Sequence, residues 1–169
     1  IDQNVAATDG ADVGPATIDD GARPHNDNRR VLIYPVHRTV AWWRFIGQNL
    51  GWGESIVVAD LRGEGDICVV DDFYAELRRL QETPAPVAGL LTAHEVTDVI
   101  ARCRLLRWLD PHLAACMAQA MAAAMDQVLE RVDPRVVLSF PIDRYVSDVL
   151  ERRARARGIK HLELTASVV

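Results

Sequence analysis

The 169-residue chain predicts an α/β domain, a mostly parallel sheet flanked by helices with an inserted helix pair. Three observations point there. Short apolar, β-branched runs such as VLIYPV, SIVVAD and RVVLSF have the character of strands buried on both faces. Segments with apolar residues at helical spacing alternate with these runs. Capping and breaking residues (Thr39, Asp110-Pro111, Gly158) fall between successive segments. Strands alternating with helices call for parallel pairing through right-handed crossovers.

The elements follow in order. Residues 1–30 carry Gly, Asp, Asn and Pro with no sustained period and no apolar signal core, which predicts a disordered leader or linker. The domain is expected over 31–169, with a first strand at Val31 and then a helix capped by Thr39 and ended by Gly51 or Gly53. SIVVAD and ICVV are the second and third strand candidates. The LRGEGD link between them is shorter than the dozen or so residues of a parallel crossover, so the two form a hairpin or one of them is not a full sheet strand. DDFYAELRRLQE reads as a helix with acidic residues at its positive end. After the TPAPVAG loop, a helical stretch from about His94 to Val132 is divided at Asp110-Pro111. Met117, Met121 and Met125 lie at i, i+4, i+8 in its second half, a stripe suited to core packing. RVVLSF, a helix ending at Gly158, and IKHLELT complete the order.

Composition excludes several classes of function. The net charge of −5 gives no global field for nucleic acid or anionic lipid. No apolar run reaches the ~20 residues that span a bilayer. Cys68, Cys103 and Cys116 are odd in number and far apart, which predicts free thiols and a reducing cytoplasm. No CxxC or Cys/His cluster points to a metal. Lys160 is the lone lysine among 19 basic residues, a bias that reflects either a GC-rich genome or arginines kept to grip phosphates. The chain opens on Ile1 and stops at HLELTASVV, from which a piece of a longer protein is expected.

Ligands of open parallel sheets sit beyond the carboxyl ends of the strands. Those ends offer His37, Arg38 and Thr39 after the first strand, Asp60 and Arg62 after the second, Asp71 and Asp72 after the third, and Ser139 and Asp143 after the fourth. His37 has the chemistry of a general base and the arginines that of an anion grip. Each also has a plainer reading: a polar loop residue for His37, surface charges for Arg38 and Arg62, a turn hydroxyl for Ser139, and helix-start carboxylates for Asp71, Asp72 and Asp143. GxGxxG, GxxxxGK[ST] and G-x-S-x-G are all absent, and RGEGD has the spacing of neither phosphate loop.

The segment from Asp98 to Ile159, with its DP…VLSFPID.Y..D.L strand-turn-helix, the upstream VLIYPVH and the closing LTAS, resembles the N-terminal Rossmann-like half of bacterial surface- or capsule-polysaccharide biosynthesis proteins, which look like GT-B glycosyltransferases. The resemblance implies an acceptor-side domain facing a C-terminal donor-binding half that this chain lacks. It implies His37 as the catalytic base, a glycan acceptor near Arg38, Thr39, Asp60, Arg62, Ser139 and Asp143, a nucleotide-sugar donor as substrate with no other cofactor, and an inactive fragment. It also implies a cytoplasmic protein, drawn to the membrane only through a larger assembly. Two other readings stay open. One is a stand-alone α/β module that binds a small molecule. The other is an assembly domain using the Trp42-Trp43 helix or the Ala/Met helix as a partner surface.

Overall fold

The computed structural model describes residues 30–35, 39–49, 51, 53–140 and 145–164. Expectations for the leader at 1–29 and for His37, Arg38 and Asp143 lie outside the described residues. In chain order the elements are β1 (Val31–Tyr34), α1 (Val40–Asn49), β2 (Ser55–Ala59), β3 (Ile67–Cys68), α2 (Val70–Gln81), α3 (Ala93–Arg102), a 3-10 turn (Leu106–Trp108), α4 (Pro111–Val132), β4 (Val136–Ser139), α5 (Tyr145–Ala156) and β5 (Lys160–Glu163). The sheet is parallel throughout, in the order β3-β2-β1-β4-β5. This is the strand order of a doubly wound, Rossmann-like fold.

The order explains which face each helix covers. From β1 the chain moves one way along the sheet to β2, and from β3 it returns past β1 to β4 and β5. A constant crossover hand then puts α1 on one face and α2 to α5 on the other. The burial agrees. Val31, Ile33, Val57, Val136 and Leu138 pack with Trp43 of α1. Leu32, Tyr34, Val58 and Val137 pack with α2, α4 and α5. Every residue of β1 and β4 is buried, as strands covered on both faces require.

The short link between β2 and β3 resolves in favour of a partial strand. β3 has two residues and pairs only with Val58 and Ala59 at the end of β2, so the chain need not travel back along the strand. Asp66 makes the corner. Its N–H donates to the Val57 carbonyl at 2.7 Å, and its carboxylate accepts the Val57 N–H at 2.8 Å. Gly65, at φ +71°, approaches so closely that an added Cβ would stand 2.8 Å from the Val57 carbonyl oxygen.

The helical stretch divides at Asp110-Pro111 as the sequence predicts. The Asp110 carboxylate caps α4 by accepting the N–H groups of His112 and Leu113, with Pro111 in the first turn. A second break falls at Cys103–Leu105, so the pair is α3 plus a 3-10 turn, then α4. Thr92 and Glu95 form a capping box that starts α3. Along α4, Met125 is fully buried, Met121 nearly so, and Met117 packs at the edge of the core. The adjacent tryptophans divide as helical geometry demands: Trp43 is fully buried and Trp42 is half exposed.

Gln119 on α4 is 2% exposed, and its side-chain amide pairs with both backbone groups of Leu91. Its Nε2 donates to the Leu91 carbonyl at 2.7 Å, while its Oε1 accepts the Leu91 N–H at 2.9 Å. This clamp docks the connection between α2 and α3 against the core. Gln119→Met keeps the volume but leaves both Leu91 groups without their partner. It is expected to cost about 2–3 kcal/mol in urea unfolding, whereas a loss under ~0.5 kcal/mol would show that the clamp is dispensable.

Candidate functional site

The carboxyl ends of all five strands lie on one edge of the sheet, because every pairing is parallel. On the side of α2, α4 and α5 this edge opens into a cavity of about 820 Å³. That volume suits a drug-sized ligand. Asp60, Leu61 and Arg62 enter from the end of β2, and Val69, Val70, Phe73 and Tyr74 from the end of β3 and the start of α2. Cys103, Arg104 and Leu105 come from the break after α3, Met121 from α4, and Tyr145 and Val146 from the start of α5.

The cavity is graded in character. Val69, Phe73, Cys103, Met121 and Val146 are buried and make an apolar floor. Leu61, Tyr74 and Leu105 are exposed around the mouth. Phe73 and Tyr74 meet edge to face with ring centroids 5.2 Å apart. Polar groups are few. The Tyr34 hydroxyl, at the end of β1, donates to Asp60 Oδ2 at 3.2 Å and fixes that carboxylate at the wall. Arg62 is ion-paired with Asp71, so both of these exposed charges are engaged at the rim. Burial pushes the Tyr145 phenol well above its ordinary pKa, with the acidic groups of Cys103, Tyr74 and Asp60 adding to the shift. Tyr145 is therefore a neutral hydroxyl at physiological pH, able to donate or accept a hydrogen bond.

Of the residues singled out in the sequence, Asp60 and Arg62 line this cavity, and Asp71 reaches its rim through Arg62. Thr39 precedes α1, where its carbonyl accepts the Trp43 N–H at 2.9 Å, and is not in the lining. Ser139 is fully buried. Its hydroxyl lies 2.9 Å from both the Phe140 carbonyl oxygen and His161 Nε2 on β5. A serine has one proton to give. When it goes to the carbonyl, His161 must donate through Nε2–H, which leaves the hydroxyl bound rather than activated. The geometry makes Ser139 a tie between β4 and the edge strand β5.

Sequence reasoning missed Phe73, Tyr74, Cys103, Arg104, Met121 and Tyr145 as lining residues. They come from helix starts and from the break at Cys103, not from the strand-end loops. Tyr145, in the first turn of the helix after β4, was the readable signal among them. No nucleophile paired with a base lines the cavity among the described residues, and there no group of three or more His, Cys, Asp and Glu is placed to hold a metal ion. No helix among them is long and apolar enough to cross a membrane. The arrangement is equipped for recognition: an apolar floor, a neutral phenol, a fixed carboxylate and cations at the mouth.

Comparison with family models, with curated proteins and with solved structures gives no match for this chain.

The Ser139–His161 tie carries a pH dependence. Burial lowers the pKa of His161, against raising contributions from Glu151 on α5 and Glu163 on its own strand and a further lowering by Arg155. The unfolded chain therefore takes up a proton at a higher pH than the folded chain. The associated stability is fully present above the ordinary histidine pKa of ~6.5 and is lost as pH falls below it. Glu95, Asp98 and Asp126 are shifted down, so they titrate below this window. Between pH 7.5 and 5.5 the wild-type melting temperature is expected to fall by more than that of His161→Gln. Equal falls in the two proteins would remove His161 from the account.

Proposed function

We propose that this chain is a ligand-binding α/β domain that seats a small organic molecule at the carboxyl edge of its sheet. The observation that carries the reading is the 820 Å³ cavity, where the ends of β2 and β3 meet the starts of α2 and α5. Strand ends, a helix N-terminus and a few convergent polar groups around an apolar floor are the usual makings of a small-molecule site. The free thiols of Cys68, Cys103 and Cys116 fit a protein of a reducing compartment.

The acceptor-side reading implied by the resemblance to polysaccharide biosynthesis proteins is a narrower form of this proposal. It would place a glycan acceptor at the same edge, with His37 as the base and a separate donor-binding half. The apolar floor favours the broader form, since sugars need a higher density of hydrogen-bonding partners than these walls offer.

Ring-bearing fragments titrated into the 15N-labelled chain are expected to shift the amides of 60–62, 69–74, 103–105 and 145–146. Val70→Phe, which fills the mouth from α2, should weaken such binding at least tenfold. Shifts confined to other surfaces, or binding unaffected by Val70→Phe, would sink the reading. A hit that is a disaccharide, weakened by His37→Ala, would instead move the account toward the glycan acceptor.

A further inference from the structure

The turn that follows α3 carries an exposed surface of mixed character. Burial along it repeats every third residue. Cys103 and Leu106 are buried and Leu109 packs against the core, while Arg104, Leu105, Arg107 and Trp108 are exposed. That is the period of a 3-10 turn, in which residues i and i+3 lie one above the other. The Trp108 N–H donates to the Leu105 carbonyl at 3.1 Å, and the Leu109 N–H to the Leu106 carbonyl at 3.2 Å. The buried Leu106 pins the turn, so two stacked pairs face outward: apolar Leu105 with Trp108, and basic Arg104 with Arg107.

Trp108 is 85% exposed, more than any other large apolar residue described. A ring so exposed stands clear of the surface as a convex tip, and Leu105, at 57%, extends it into a ridge. A protein partner meets such a tip only with a pocket already shaped for it. The headgroup region of a bilayer yields to it, and indole suits that region, with an apolar body and a polar N–H. The flanking charge decides which bilayer. Arg102 is paired with Asp98, whereas Arg104 and Arg107 hold no ion pair among the described residues. The nearest carboxylate along the chain, Asp110, is committed to the N–H groups of His112 and Leu113 at the start of α4. The ridge thus complements a negative surface. The net charge of −5 does not cancel that local match, because salt screens most charges farther away than about 10 Å. Arg104 and Leu105 also line the cavity, so the ridge borders its mouth. Docking requires no ligand in that cavity.

We propose that the 104–108 turn docks the protein on an anionic lipid surface, with Trp108 and Leu105 seated among the headgroups and Arg104 and Arg107 facing their negative charge. Each arginine near such a surface strengthens binding about fivefold. Two arginines and two apolar side chains make a weak and reversible contact.

The test is co-sedimentation of the full chain with phosphatidylcholine vesicles, with and without about 30% phosphatidylserine. The wild type is expected to bind the serine-containing vesicles at least about tenfold more tightly than the neutral ones. Arg107→Gln should weaken binding to the anionic vesicles about fivefold, and Trp108→Ala about tenfold. Phe45→Ala, which removes an exposed ring from α1 on the opposite face of the sheet, should leave it unchanged. All three side chains are exposed, so the variants are expected to fold, and unchanged melting temperatures are the check that they do. Failure of the wild type to bind anionic vesicles would overturn the proposal. So would equal binding to both kinds of vesicle, or binding that Trp108→Ala leaves intact. Self-association of the chain without lipid, abolished by Trp108→Ala, would seat a second copy on the ridge and overturn the lipid assignment as well.

Discussion

The structure depends on one constraint: a parallel neighbour paired along its full length cannot be reached by a turn. β1 is the middle strand, and both of its neighbours are parallel to it. One is reached through α1. The other requires the chain to leave from β3, cross an entire face and re-enter at β4. α4 is the pillar of that crossing. Twelve of its 22 residues are buried, including five alanines whose small side chains let it sit close to the sheet and to α2 and α5. The cavity follows from the same path. α2 starts at one end of the crossing and α5 starts beyond the other, and the break after α3 leaves the space between them unfilled at the carboxyl edge.

Charge holds the crossing in register. Asp126, on α4, accepts from Arg153 of α5 and from Arg157 just beyond its end, and Arg153 also reaches the Leu90 carbonyl. Asp148, almost fully buried on α5, is matched by Arg152, which continues to Asp98 on α3. Breaking such a pair by removing one partner is costly because the other charge stays behind. The Arg152–Asp98 and Arg153–Asp126 pairs therefore tie α3 and α4 to α5.

Much of this was legible in the sequence, for physical reasons that can be named. β1, β2 and β4 were readable because a strand buried on both faces must be apolar along its whole length. β3 was a candidate within ICVV, but its short parallel pairing was not readable, because two residues carry no period and the pairing is set by the Asp66 corner. Asp110-Pro111 announced the start of α4, whereas the break at Cys103–Leu105 carries no glycine or proline and left no mark. The Thr92…Glu95 spacing of a capping box was available and bounds α3. For the site, the rule that ligands lie beyond strand ends pointed to the edge where the cavity opens, and two of the residues it named, Asp60 and Arg62, are in the cavity lining. It overlooked the residues that helices bring to that edge, Tyr74 and Tyr145 above all. It also drew attention to Ser139, whose burial on the strand and tie to His161 depend on β5 lying alongside β4, a pairing no local pattern reveals.

The most direct test of this account is residue-resolved amide hydrogen exchange on the intact chain. If the α4 crossing over β1 is what the rest depends on, the amides of β1, β4 and the middle of α4 will be the slowest and will exchange together, through global unfolding. β3, β5 and the segment 103–105 will open at lower free energy. Exchange of α4 at the rate of those edges, with β1 still protected, would contradict the account and separate the crossing helix from the stability of the sheet.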